Sequence, residues 1–154
     1  MADLKVGDKA PKFSGVDQNG ESVSLDQYKG KKVILYFYPK DNTPGCTAEA
    51  CNLKENYDDI LEKGLDVIGV SPDSVESHQK FIKKYDLPFR LISDPDKEIL
   101  KLYNAWGEKK MYGKSYEGVL RKTYIIAEDQ TIEAIFDKVK TKDHTDQIYR
   151  ELKI

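Results

Sequence analysis

Val33-Ile34-Leu35-Tyr36-Phe37-Tyr38, followed at once by Pro39-Lys40-Asp41-Asn42-Thr43-Pro44-Gly45-Cys46-Thr47-Ala48-Glu49, reads as a strand that delivers a cysteine to the start of a helix. The first six residues are apolar and rich in β-branched and aromatic types, as suits a buried strand. Thr43 suits an N-cap, and Pro44 suits the first helical position, where its missing N–H would have had no partner. Cys46 then lies in the first turn, where unpaired backbone N–H groups and the positive end of the helix dipole favour a thiolate over a thiol. A cysteine so placed is a candidate nucleophile. The second of the chain's two cysteines, Cys51, follows five residues later.

The rest of the chain narrows the class. Its 154 residues suit one domain with a sizeable core, spanning 1–154. Charges are abundant but balanced, Lys+Arg 25 against Asp+Glu 27 for a net charge of −2. Neither nucleic acid nor an anionic membrane surface is therefore an expected partner. No apolar run approaches the roughly 20 residues that span a bilayer. The opening Met1-Ala2-Asp3-Leu4-Lys5 lacks an apolar signal-peptide core, so a cytoplasmic location is expected. In a reducing compartment, two nearby cysteines are redox-active, metal-binding or incidental rather than a structural framework.

Residues from Ala10 to Tyr28 read as a hairpin turning at Asp17-Gln18-Asn19-Gly20. Strand Val33–Tyr38 leads to a helix over Pro44–Lys63, with Gly64 as its C-cap. Strand Leu65–Val70, helix Val75–Tyr85, strand Phe89–Ile92 and helix Asp96–Tyr103 come next. After a loop containing Gly and Tyr, strand runs Val119–Ala127 and Thr131–Val139 precede a last helix at Asp143–Leu152. The order starts as βαβα and ends as ββα, which predicts an α/β fold: a central mixed sheet flanked by helices, with an N-terminal hairpin. This order resembles a thioredoxin-like sheet. On the first long helix, Cys46, Ala50, Leu53, Tyr57 and Ile60 form the core-facing stripe. Cys51 falls about 140° away, on the polar side with Thr47, Lys54, Glu55 and Asp58.

The run Phe37 to Thr47 with Glu49-Ala50-Cys51 resembles the active-site segment of the peroxiredoxins, in the version of the bacterioferritin comigratory protein (peroxiredoxin Q) group. Pro39, Thr43 and Cys46 match the Pro-x-x-x-Thr-x-x-Cys motif. Gly118-Val119-Leu120-Arg121-Lys122-Thr123-Tyr124 resembles the segment that supplies the family's arginine, and Gly7 to Phe13 and Ser93-Asp94-Pro95 are also similar. One departure is Ala127-Glu128-Asp129-Gln130, where the family more often has an acidic residue and a glycine turn. The resemblance implies a thioredoxin-fold peroxidase acting on hydrogen peroxide and organic hydroperoxides, without a metal or other cofactor. It implies Cys46 as peroxidatic nucleophile, Cys51 as resolving thiol in an intramolecular disulfide, and Arg121, Thr43 and Pro39 around the pocket. It further implies a monomer recycled by thioredoxin, with glutaredoxin as a second candidate reductant.

Read without the resemblance, several of these residues have plainer roles. Buried free cysteines are often small hydrophobes, and an arginine within a strand is usually a surface charge or an ion-pair member. His78 and His144 read as residues at helix–core boundaries rather than bases or ligands, and two cysteines with two distant histidines form no zinc pattern. Trp106, Tyr112 and Tyr116 read as a packed loop, with the rim of the site as the alternative. Two other functions remain open. A disulfide oxidoreductase on the same fold is disfavoured by the lack of a C-x-x-C pair. In a redox sensor or holdase-like module, oxidation of Cys46 would reshape a partner surface.

Overall fold

Strand β3 (Lys32–Phe37) runs down the middle of the molecule with five of its six residues buried. The computed structural model describes residues 3–154. Alternate β3 side chains feed two separate cores. Val33, Leu35 and Phe37 join Ile68, Val70, Tyr103 and Tyr124 on one face. Ile34, Tyr36 and the following Tyr38 join Cys46, Ala50, Leu53, Phe81 and Ile148 on the other. A strand covered on both faces has no polar alternation, hence the unbroken apolar run in its sequence.

Around β3 the chain builds a seven-stranded mixed sheet. The other members are β1 (Ser14–Val16), β2 (Ser22–Ser24), β4 (Leu65–Ser71), β5 (Arg90–Ser93), β8 (Lys122–Ile126) and β9 (Ile132–Phe136), in the order β2-β1-β5-β4-β3-β8-β9. Strands β3, β4 and β5 are parallel, while β8 and β9 are antiparallel additions. The expected N-terminal hairpin exists, but β1 also pairs with β5, so it extends the sheet edge. The remaining strands, β6 (Trp106–Met111) and β7 (Lys114–Val119), form a separate two-stranded sheet.

Three sequence expectations need correction. The helix expected over Pro44–Lys63 is two helices, α1 (Pro44–Glu55) and α2 (Tyr57–Glu62). They part at Asn56, whose side-chain amide donates to the Asn52 carbonyl at 2.8 Å and competes with the backbone ladder. Gly64, at φ +84°, does end the pair in the left-handed conformation. The loop expected before Val119 is the β6–β7 hairpin. It turns through Tyr112 and Gly113, both at positive φ, as a two-residue hairpin turn requires. The packed reading holds for Trp106, which is partly buried against the core, but not for Tyr112, which is 97% exposed, or Tyr116, which is exposed too. Finally, the expected strand Val119–Ala127 is divided, because Val119 ends β7 and β8 starts at Lys122.

The other helices are α3 (Val75–Tyr85), α4 (Glu98–Leu102) and α5 (His144–Leu152). No helix among the described residues is long and apolar enough to cross a membrane.

Candidate active site

Cys46 sits on the third residue of α1, at the C-terminal end of β3, and is 1% exposed. Thr43 has the extended backbone of an N-cap, and the first bond of the helical ladder runs from Thr47 N–H to the Thr43 carbonyl at 2.8 Å. The amides of Gly45 and Cys46 therefore precede the ladder, as first-turn amides do. The Thr43 hydroxyl does not cap the helix. It donates to the Lys40 carbonyl at 2.9 Å, so donating to a peroxide requires it to turn. Pro39 is half-buried where the connecting loop leaves β3.

Arg121 meets the sulfur. Its Nη2 donates to Cys46 Sγ at 3.3 Å, and its Nη1 donates to Glu49 Oε1 at 2.7 Å. Strand pairing brings it there: β8 runs antiparallel to β3 with Lys122 opposite Phe37, so the residue before Lys122 lies beside the loop leaving β3. Burial acts against the arginine's charge, but Glu49 and Cys46 more than offset it and hold its pKa above the ordinary value. A fixed planar fork bridging a sulfur and a carboxylate is a geometry lysine does not reproduce. Gly45 makes room for it, since a Cβ there would stand 3.3 Å from Nη2.

Sequence reasoning missed Glu49, although the signal was present: Cys46, Glu49, Ala50 and Leu53 share one helical face. Glu49 is wholly buried, and its second oxygen, Oε2, has no hydrogen-bond partner among the described residues. Burial outweighs Arg121 and pushes the Glu49 carboxyl up to about 7. Below it lies His144, fully buried rather than at a boundary, with Nε2 3.8 Å from Glu49 Oε2. Its Nδ1 faces the Gln147 side-chain oxygen Oε1 and its Nε2 faces the Thr123 hydroxyl, both at 2.9 Å, which fixes the proton on Nδ1. Burial pushes its pKa down to about 4, so the ring is neutral at neutral pH. His78 is also fully buried, against Asp41 in the loop between β3 and α1.

Cys51 is partly buried on the opposite side of α1, and both cysteines are free. Burial pushes the Cys51 thiol above its ordinary pKa, against the pull of Lys54. The neighbouring Asn52 ties α1 to the start of α5: it donates to the Lys142 carbonyl at 3.1 Å and accepts from Thr145 N–H and Oγ at 2.8 Å each.

Residues 6–135 match the profile of the AhpC/TSA family. The chain belongs to that family. Within it the affinity is to the Bcp/PrxQ peroxiredoxins. Peroxiredoxin Bcp of Escherichia coli is 45% identical over 153 residues, covering 99% of this chain and 98% of the relative. A PrxQ cysteine mutant from Xylella fastidiosa superposes with a TM-score of 0.91 at 30% identity, covering 99% of this chain and 98% of that one. Xanthomonas campestris bacterioferritin comigratory protein, whose structures address its alkyl peroxide reduction activity, superposes at 0.87 with 31% identity and the same coverage. The thioredoxin-like α/β architecture expected from the element order is thus the family's own. As a member of this AhpC/TSA group, the protein is a thiol-dependent peroxidase of the atypical two-cysteine type.

Proposed function

We propose that this peroxidase reduces hydrogen peroxide and organic hydroperoxides at Cys46 and resolves through Cys51. The observation that carries the reading is the Arg121 guanidinium, which donates to the Cys46 sulfur at the N-terminus of α1. A cation and unpaired amides stabilise negative charge on sulfur and on the oxygen that departs. The Cys46 thiolate attacks one peroxide oxygen, the O–O bond breaks, and the leaving alkoxide or hydroxide takes up a proton. Sulfenic acid forms on Cys46. Thr43 turns from Lys40 towards the peroxide, and Pro39 walls the pocket against larger nucleophiles. The Cys51 thiol then displaces water from the sulfenic acid to form the disulfide. An external dithiol, thioredoxin in our reading, returns both cysteines to thiols while being oxidised itself.

Resolution requires α1 to open. Cα atoms five residues apart in an intact helix are roughly 8–9 Å apart, whereas a disulfide holds them at about 4.4–6.8 Å. Cys46 and Cys51 also face opposite sides, so residues 43–53 must rearrange, as helix ends do at low free-energy cost. A disulfide within one chain needs no partner subunit, which supports a monomer.

The test is peroxide consumption with a thioredoxin system. Cys46→Ser is expected to abolish turnover. Cys51→Ser is expected to consume about one equivalent without external thiol, one sulfenic acid per chain. Multiple turnover by Cys46→Ser at the wild-type rate overturns the assignment.

A further inference from the structure

The loop that carries Pro39 and Thr43 is held from outside the site by a buried histidine. Asp41, near the middle of that loop, is almost wholly buried. Its Oδ1 accepts from Tyr38 OH at 2.6 Å, and its Oδ2 accepts from Ser77 Oγ at 2.8 Å and faces His78 Nδ1 at 2.7 Å. The Asp41 amide donates to Asp73 Oδ2 at 2.7 Å. Next to it, Asn42 stands at φ +61°, and its Oδ1 accepts from Lys84 Nζ and Tyr85 OH. A left-handed non-glycine residue persists where surrounding bonds over-determine it. Here those bonds come from α3 and the end of β4.

Counting hydrogens around His78 identifies the fastening. Nε2 faces the Ile92 carbonyl at 2.9 Å, an acceptor only, so Nε2 carries a proton. Nδ1 faces a carboxylate oxygen at 2.7 Å. A neutral ring beside an ionised carboxylate would set two lone pairs against each other at that distance. One further proton therefore lies between them, as imidazolium with carboxylate or as imidazole with carboxylic acid. The other charged or titratable neighbours do not supply it. Tyr38, just after β3, already donates to Asp41 Oδ1, and burial holds its pKa far above the ordinary value. Asp73, after β4, accepts the Asp41 amide and the Ser71 hydroxyl. Lys80 and Lys84, on α3, line a cleft of about 170 Å³ outside Asp41 and Ser77. Asp41, Asp73 and His78 also have ligand atoms within 4.8 Å of one another, but Asp41's oxygens and the ring nitrogens are all engaged, which suits a proton rather than a cation.

We propose that Asp41 and His78 are positioning residues of the peroxide pocket: a clamp closed by one shared proton, which fixes the loop presenting Pro39 and Thr43. The proposal rests on the peroxidase reading of Cys46. Neither residue touches the sulfur. Their effect falls on where Thr43 and Pro39 stand, and a displacement near 1 Å from outside the chemistry typically costs about 100-fold in rate.

Two measurements across pH test the clamp: the rate of Cys46 oxidation in a single turnover, and the rate of Cys46 alkylation by iodoacetamide. Cys46→Ser serves as the control for the underlying reading. Asp41→Ala and His78→Leu are expected to slow oxidation by about 10- to 100-fold at every pH, with the alkylation profile unmoved. Asp41→Asn, whose amide donates to Nδ1 without the shared proton, is expected to keep the wild-type rate. The clamp is overturned if Asp41→Ala oxidises at the wild-type rate, if Asp41→Asn is as slow as Asp41→Ala, or if oxidation and alkylation fall together as in general unfolding. Equal peroxide consumption by wild type and Cys46→Ser would overturn the peroxidase reading, and the clamp with it.

Discussion

Glu49→Gln is expected to make the reduced protein more stable above neutral pH, although it alters a buried ion pair. Glu49 titrates at about 7 in the folded chain against an ordinary 4.5. The folded state thus holds a proton that the unfolded state has released, and stability falls as pH rises from about 4.5 to 7. At about 1.36 kcal/mol per pH unit the loss is about 3 kcal/mol. His144 acts in the opposite direction. Its pKa drops from 6.5 to about 4, so its stabilisation is complete above 6.5 and is lost as pH falls towards 4, again about 3 kcal/mol. The two contributions cancel over roughly pH 4.5 to 6.5, because both groups stay neutral in the fold and charged outside it. The introduced glutamine mimics the protonated acid and keeps an oxygen for Arg121. Variant and wild type should therefore agree near pH 4 and diverge to about 3 kcal/mol in favour of the variant by pH 8. Urea unfolding at half-unit pH steps, with reductant present, reads this directly. Parallel curves would mean that Glu49 ionises in the fold as it does in water, and would refute the cost assigned to the unpaired Oε2.

Arg121→Ala is expected to slow single-turnover oxidation of Cys46 by about 100-fold or more. If the rate is unchanged, the 3.3 Å contact with sulfur is incidental. Asn52→Ala removes the tie to Lys142 and Thr145, a loss of about 2 kcal/mol. Amides 46–53 should then exchange faster, and the disulfide should form sooner after peroxide is added. Equal protection in the two proteins would place the barrier to opening elsewhere.

The central strands, α1's start and the cysteine in its first turn were legible in the sequence because local rules decide them: an apolar run, an N-cap, a proline at the first helical position. The β6–β7 hairpin was not. Its strands have little apolar alternation, β7 being mostly exposed, and its turn uses Tyr112-Gly113 where the usual signal is an asparagine or aspartate before glycine. Arg121 is a different case, since only the antiparallel register of β8 against β3 brings it to Cys46, and the sequence carries that pairing only through resemblance. His144 and His78 were placed at boundaries because an apolar stripe alone cannot reveal the Thr123, Gln147, Asp41 and Ile92 partners that allow a histidine to be buried. The departure at Gln130 leaves a non-glycine residue at φ +69°, tied by its side chain to the Leu25 carbonyl, far along β8 from the sulfur.

The family match ends at residue 135, whereas α5 begins at His144. Yet α5 supplies the ring beneath Glu49 and, through Thr145, grips the residue next to Cys51. If Cys46 and Cys51 act as proposed, one helix outside the matched segment thus bears both on the sulfur's surroundings and on how long it waits. Substitutions in that tail would then retime the sulfenic acid's exposure to a second peroxide, and so its drift to irreversible oxidation, while every signature residue stays as it is. Tolerance of oxidative stress becomes a trait that evolution can tune from the C-terminus.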